Sequence, residues 1–105
     1  MDNQEIIMQI ILDGGSARSY SMEAIHYAKE GNINSAREAI GKAIEALGSA
    51  HRIQTNLIQE EAAGNRTEVS LLMVHAQDHM MNAITIKDLA QEFVDMYEKV
   101  YEKQS

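Results

Sequence analysis

The stretch RTEVSLLMVHAQDHMMNAITIKDLAQEFVDMYEKVYE, residues 66–102, runs without a proline and is rich in residues that favour a helix. Within it Val69, Leu72, Ala76, His79, Ala83, Ile86, Ala90, Phe93, Tyr97 and Val100 recur at alternating spacings of three and four. That rhythm is the seam of a coiled-coil-like helix. It predicts a single helix of about 35 residues, ~50 Å long at roughly 1.5 Å per residue, which serves as the spine of the molecule. A second, more polar face of the same helix carries Leu71, His75, Asp78, Asn82, Thr85 and Leu89 at the same spacings. A monomeric three-helix bundle needs only one apolar stripe per helix, so the second seam points to contact with another copy of the chain, a solvated polar face being the simpler alternative.

Outward from this stretch, Gly64-Asn65-Arg66 and Gly31-Asn32 divide the chain into three helical segments, expected at about 2–30, 33–63 and 66–102. Gly31 and Gly64 suit the left-handed position that ends a helix. Asp2 with Glu5 and Asn65 with Glu68 fit capping boxes for the first and third segments, and Asn32 or Asn34 could cap the second. The first segment repeats Ile7, Ile10, Gly14, Ala17, Ser21, Ala24 and Ala28; the second repeats Ile33, Ala36, Ile40, Ala43, Leu47, Ala50, Gln54 and Leu57. The side chains of the first seam are unusually small. Gly14-Gly15 would weaken a helix by roughly 1 kcal/mol per glycine, which is favourable only where the helix bends or, the preferred reading, where another backbone approaches closely. A polar tail, Glu102–Ser105, is expected to be disordered. The fold class is all-α, an antiparallel three-helix bundle forming one domain over 1–105.

Composition narrows the function. Among 105 residues, 45% are hydrophobic, with one Phe, four Tyr and no Trp, so the core is built from aliphatic residues, Met and Ala. Sixteen acidic against nine basic side chains give a net charge of −7, which disfavours nucleic acid and anionic membrane surfaces as partners. The absence of cysteine removes disulfides, thiolate metal sites and phosphocysteine chemistry. The opening Met1-Asp2-Asn3-Gln4-Glu5 lacks the basic start of a signal peptide, and no apolar run approaches the roughly 20 residues of a membrane span. A cytoplasmic protein without direct membrane insertion is expected.

The one dense cluster of functional side chains is His75-Ala76-Gln77-Asp78-His79. On a helix, His75, Asp78 and His79 fall within roughly a 100° arc and can share a site. An imidazole pKa of about 6.5 leaves a substantial neutral fraction in the cytoplasm, and a neutral ring nitrogen is a good nucleophile toward phosphorus. By spacing alone the cluster fits a phosphorylatable site, a metal site or polar packing at an interface, packing being the commonest. The metal reading is the weaker one, because Ala76 stands where the H-E-x-x-H pattern has its acid and no third ligand lies nearby. Neither a phosphate-cradling glycine loop nor a kinase or hydrolase signature occurs, so no nucleotide is expected. His26 reads as a surface or interface residue and His51 as packing or site support. Met73, Met80 and Met81 are filler or a soft docking face.

Val74-His75-Ala76-Gln77-Asp78-His79-Met80-Met81, with Ala50-His51-Arg52-Ile53-Gln54-Thr55 and Gly15-Ser16-Ala17-Arg18-Ser19, resembles the sequence blocks of lactose/cellobiose-type IIA components of bacterial sugar phosphotransferase systems. The likeness extends over nearly the whole chain. It implies a nine-helix homotrimer and a phosphotransferase component in which His75 accepts phosphate from the histidine-containing phosphocarrier protein. His75 would pass that phosphate to a cysteine of the cognate IIB component during uptake of lactose, cellobiose or a related disaccharide. It further implies that Asp78 lines the threefold axis and shares a divalent cation, Mg²⁺, with its two symmetry mates, and that Gln77 and His79 lie near the phosphoryl group. The rival readings are a trimeric helical adaptor that carries no phosphate and a bundle that binds metal directly through His75 and His79.

Overall fold

The computed structural model describes residues 3–104, which form three helices: α1 (Asn3–Lys29), α2 (Ile33–Ala62) and α3 (Leu71–Gln104). No strand occurs among the described residues. The molecule measures 58 × 21 × 19 Å, so helices of this length must lie along its long axis, and the short turns make neighbours in sequence antiparallel. Three layers of core side chains agree with this. At one end Ala24 and Ala28 meet Ala36, Ala39 and Ile40 from the start of α2, and Ala90 and Val94 from the second half of α3. In the middle Ala17 packs with Ala43, Leu47 and Ala83. At the other end Ile7 and Ile10 meet Ala50, Met73, Ala76 and Met80. Helix α3 therefore runs parallel to α1, and its first turns lie beside the first turns of α1.

The turns are decided by hydrogen bonds that close the helix ends. Asn32 N donates to Tyr27 O at 2.9 Å and Gly31 N to Ala28 O at 3.0 Å; Asn65 N donates to Glu60 O at 2.8 Å and Gly64 N to Glu61 O at 3.0 Å. Both are Schellman closures, which need the left-handed φ of +84° at Gly31 and +94° at Gly64. Asn32 then serves twice, because its Oδ1 also accepts from Ser35 N at 3.4 Å and caps α2. The Asp2 end of the first capping box lies outside the described residues.

Helix α3 starts five residues later than the sequence suggests. Asn65 is committed to closing α2, and its Nδ2 donates to Glu60 Oε2 at 3.1 Å, so no capping box forms with Glu68. Ser70 takes that role: its Oγ accepts from Met73 N at 3.1 Å and its carbonyl from Val74 N at 3.0 Å. The far end also differs from expectation, since α3 continues through Glu102 to Gln104. Tyr101 ties that end down, its hydroxyl donating to Lys29 O at 2.6 Å while its ring covers Gly31, where an added Cβ would meet it at 3.2 Å. Arg37 adds ion pairs to Asp95 at 2.7 Å and Glu98 at 3.1 Å, and hydrogen bonding to Asp95 holds its guanidinium pKa above the ordinary value.

The buried residues of α1 are the seven of its seam: Ile7, Ile10, Gly14, Ala17, Ser21, Ala24 and Ala28. The one polar member, Ser21, donates its hydroxyl to Ala17 O at 2.7 Å. In α2 the buried set is Ala36, Ala39, Ile40, Ala43, Leu47 and Ala50, and Ile33, Gln54 and Leu57 are half-buried. Helix α3 is rotated from the expected seam. Met73, Ala76, Met80, Ala83, Ala90 and Val94 face inward, while Leu72, Phe93 and Val100 are exposed and Val69 lies in the preceding loop. The long flexible Met73 and Met80 fill the inward positions beside Ile7, Ile10 and Ala50, and His79 keeps part of its polar ring out of the core.

Candidate functional site

His75 stands on the exposed face of α3, one helical turn before His79. Its imidazole makes no hydrogen bond to any described residue, and its neighbour is the His79 ring, stacked with centroids 6.2 Å apart and planes 19° from parallel. His79 is half-buried because it leans toward α1. A Cβ on Gly14 would stand 2.9 Å from His79 Cδ2 and 3.6 Å from Met80 Cα, and one on Gly15 would stand 3.7 Å from His79 Nε2. Helix α1 continues unbroken through both glycines, and the pair admits the close approach of α3.

Asp78 lies on the same exposed arc, where its Oδ2 accepts from Asn82 Nδ2 at 3.4 Å. The structure thus gathers His75, Asp78 and His79 on one side of α3. It does not bring Gln77 to them. Gln77 faces α2, where its Oε1 accepts from Gln54 Nε2 at 2.8 Å and its Nε2 lies 3.8 Å from Met73 Sδ. Position 77 is two residues from His75, about 200° around the helix, so one chain cannot point both side chains to a single spot. His51 on α2 and His26 near the end of α1 are both exposed.

The polar second face is exposed at every position: Leu71, His75, Asp78, Asn82, Thr85 and Leu89. Phe93, Met96 and Val100, each more than two-fifths exposed, extend it along α3 as an apolar stripe. Close to His75 the surface is also apolar, with Leu71, Leu72 and Val74 at least half exposed. Among the described residues no group of three or more His, Cys, Asp or Glu side chains converges as a metal site. Two features went unread in the sequence. The Gln54–Gln77 amide pair joins residues on different helices, which periodicity does not register; Gly14-Gly15 signalled a close approach but not that the His79 ring would fill it.

The family described as the lactose/cellobiose-specific IIA subunit of the phosphotransferase system matches residues 5–98. The lichenan-specific phosphotransferase enzyme IIA component of Bacillus subtilis (strain 168) is 55% identical over 100 residues, covering 95% of this chain and 91% of that protein. Among solved structures, the cellobiose-specific enzyme IIA from Bacillus anthracis superposes with a TM-score of 0.91 at 53% identity, covering 98% of this chain and 95% of that one. The IIA(chitobiose)–HPr complex of the N,N'-diacetylchitobiose branch of the Escherichia coli phosphotransferase system gives a TM-score of 0.82 at 34% identity, covering 96% of this chain and 98% of its match. With fold, length and the HAQDH cluster all in agreement, this chain belongs to the lactose/cellobiose-specific IIA family, the phosphoryl-carrying components of the sugar phosphotransferase system.

Proposed function

We propose that His75 is the phosphoryl carrier, charged by the histidine-containing phosphocarrier protein HPr and discharged to a cysteine of the cognate IIB component. The observation that carries this is the exposed His75 imidazole, which makes no hydrogen bond among the described residues, is backed by the stacked His79 ring and lies beside exposed Leu71, Leu72 and Val74. A ring nitrogen with its lone pair available can attack the phosphorus of a donor phosphohistidine. The new N–P bond forms as the donor's N–P bond breaks, and its electron pair returns to the donor imidazole. In the second transfer the IIB thiolate attacks, a S–P bond forms and the His75 nitrogen leaves neutral once protonated. Neither step requires nucleotide, and the protein's contribution is positioning. The apolar rim suits two alternating protein partners better than a small substrate.

The same reading takes the working form to be a homotrimer in the cytoplasm, and no described helix is long and apolar enough to cross a membrane. The exposed stripe along α3 supports the trimer, since such a stripe is stabilised when covered. Asp78 lies on that face, and one carboxylate per chain is no ligand set. Three converging copies would repel unless an oxygen-preferring divalent cation such as Mg²⁺ neutralised them. His79 of the same chain is assigned to the phosphoryl surroundings, and Gln77, which faces Gln54 within its own chain, is assigned to those of a neighbouring copy. The transported sugar is a lactose- or cellobiose-like disaccharide or related β-linked oligosaccharide.

Incubation with phosphoenolpyruvate, enzyme I and HPr tests the carrier role. Wild type should acquire an alkali-stable, acid-labile phosphate, and His75→Ala should acquire none while keeping its helicity. Labelling of His75→Ala would move the carrier elsewhere, and an unlabelled wild type would leave the adaptor reading in its place.

A further inference from the structure

Helix α1 holds two adjacent glycines in mid-helix, at a point where it continues without a break. Alanine at both positions would favour the helix, so the glycines need another reason. Their surroundings supply one. The site of a Gly14 Cβ is already taken by the His79 ring, whose Cδ2 would be 2.9 Å away, well inside van der Waals contact. Beside it, the bare Gly15 backbone leaves His79 Nε2 open toward α1, where a methyl group would stand 3.7 Å away. A methyl in that place occupies the approach that a hydrogen-bonding oxygen would need at about 2.7–3.2 Å. On its other side His79 stacks against His75.

We infer that Gly14-Gly15 is a positioning element for phosphoryl transfer: a notch in α1 that seats the His79 imidazole beside His75 and keeps its Nε2 clear. The inference rests on His75 being the carrier. Neither glycine touches the reacting atoms; both act through His79. With the notch filled, the ring must turn away from α1 and toward solvent or toward His75, and the stacked arrangement is lost. Rotation about two side-chain bonds accommodates the added methyl groups, so the bundle itself need not change.

The test uses the full chain carrying Gly14→Ala and Gly15→Ala together, compared with His79→Ala and with the triple variant. Glycines without a role predict a melting temperature equal to or above wild type and unchanged labelling by phospho-HPr, because alanine is the better helix former, and glycines that serve packing alone predict a lower melting temperature with unchanged labelling. The notch predicts the same or higher melting temperature with labelling several-fold slower, and long-range ¹H–¹⁵N spectra in which the imidazole resonances of both His79 and His75 shift. It also predicts that the triple variant labels no more slowly than His79→Ala alone, since the glycines work only through that ring. Unshifted imidazole resonances, or losses that multiply in the triple variant, overturn the inference. Should Gly14→Ala with Gly15→Ala lower the melting temperature, the single Gly14→Ala variant decides by the same resonances. Failure of the carrier assignment is separately visible, because His75→Ala would then still be labelled.

Discussion

His79 is the residue whose role most depends on distinguishing position from chemistry. It is stacked on His75 and half-buried, whereas His75 is exposed and unencumbered. A carrier must meet two partners in turn, taking phosphate from one and giving it to the other, which favours the exposed ring as nucleophile. His79→Ala is therefore expected to slow labelling by phospho-HPr without abolishing it, while His75→Ala gives none. Rates of phosphohistidine formation measured on both variants check this; a dead His79→Ala with a functioning His75→Ala would exchange the two assignments. The cluster was legible in the sequence because i and i+4 spacing places side chains on one face whatever the tertiary fold. Gln77 shows the limit of that reading. Its place in the sequence block ties it to His75, yet its amide is held by Gln54 across the helix interface.

Among the elements, α3 depends on a cap that the sequence pattern placed elsewhere. Ser70 Oγ satisfies the Met73 N–H, and Ser70→Ala should cost about 1 kcal/mol of stability, the usual effect of losing an N-cap. Asn65→Ala should also destabilise, but by loosening the end of α2 through loss of its amide contact to Glu60, while its backbone closure persists. Urea unfolding of both variants checks the sizes. Equal stability of Ser70→Ala and wild type would mean that α3 takes another start. The ion pairs of Arg37 with Asp95 and Glu98 join α2 to α3 at the opposite end. All three side chains are substantially solvent-exposed, so their contribution is of the order of 0.2–1 kcal/mol per pair and weaker in salt.

For the whole molecule, the unpaired face of α3 sets the expectation. Asp78 shares it with Leu89, Phe93, Met96 and Val100. If three copies meet there, each Asp78 is partly desolvated beside two like charges, and the assembly depends on a cation or on protonation. Asp78→Leu removes the repulsion and adds apolar volume, so its trimer should withstand a chelator and melt above the metal-free parent. Light scattering and thermal melts of both proteins, with and without chelator, check this. A monomeric parent, or an Asp78→Leu variant that dissociates, would refute the axial placement and leave the His75 assignment intact.

The sequence by itself determined the three-helix architecture, both turn glycines, the whole buried face of α1 and the face shared by His75, Asp78 and His79. All of these follow from local rules: helical periodicity, the φ that only glycine adopts cheaply, and spacing along one helix. The tertiary structure decided which of two neighbouring stripes on α3 faces the core. Ala76, Ala83 and Ala90 are common to both the expected and the observed seams, so periodicity left the rotation of α3 unsettled by about one residue. Packing resolved it, because Met73 and Met80 fill the space beside Ile7 and Ile10, and Val94 that beside Ala24 and Ala28, while His79 keeps a polar ring at the edge. That same rotation turned His75 outward and placed His79 over Gly14. No single segment contains this information, since it arises from the fit of volumes between helices that the chain brings together from residues more than sixty positions apart.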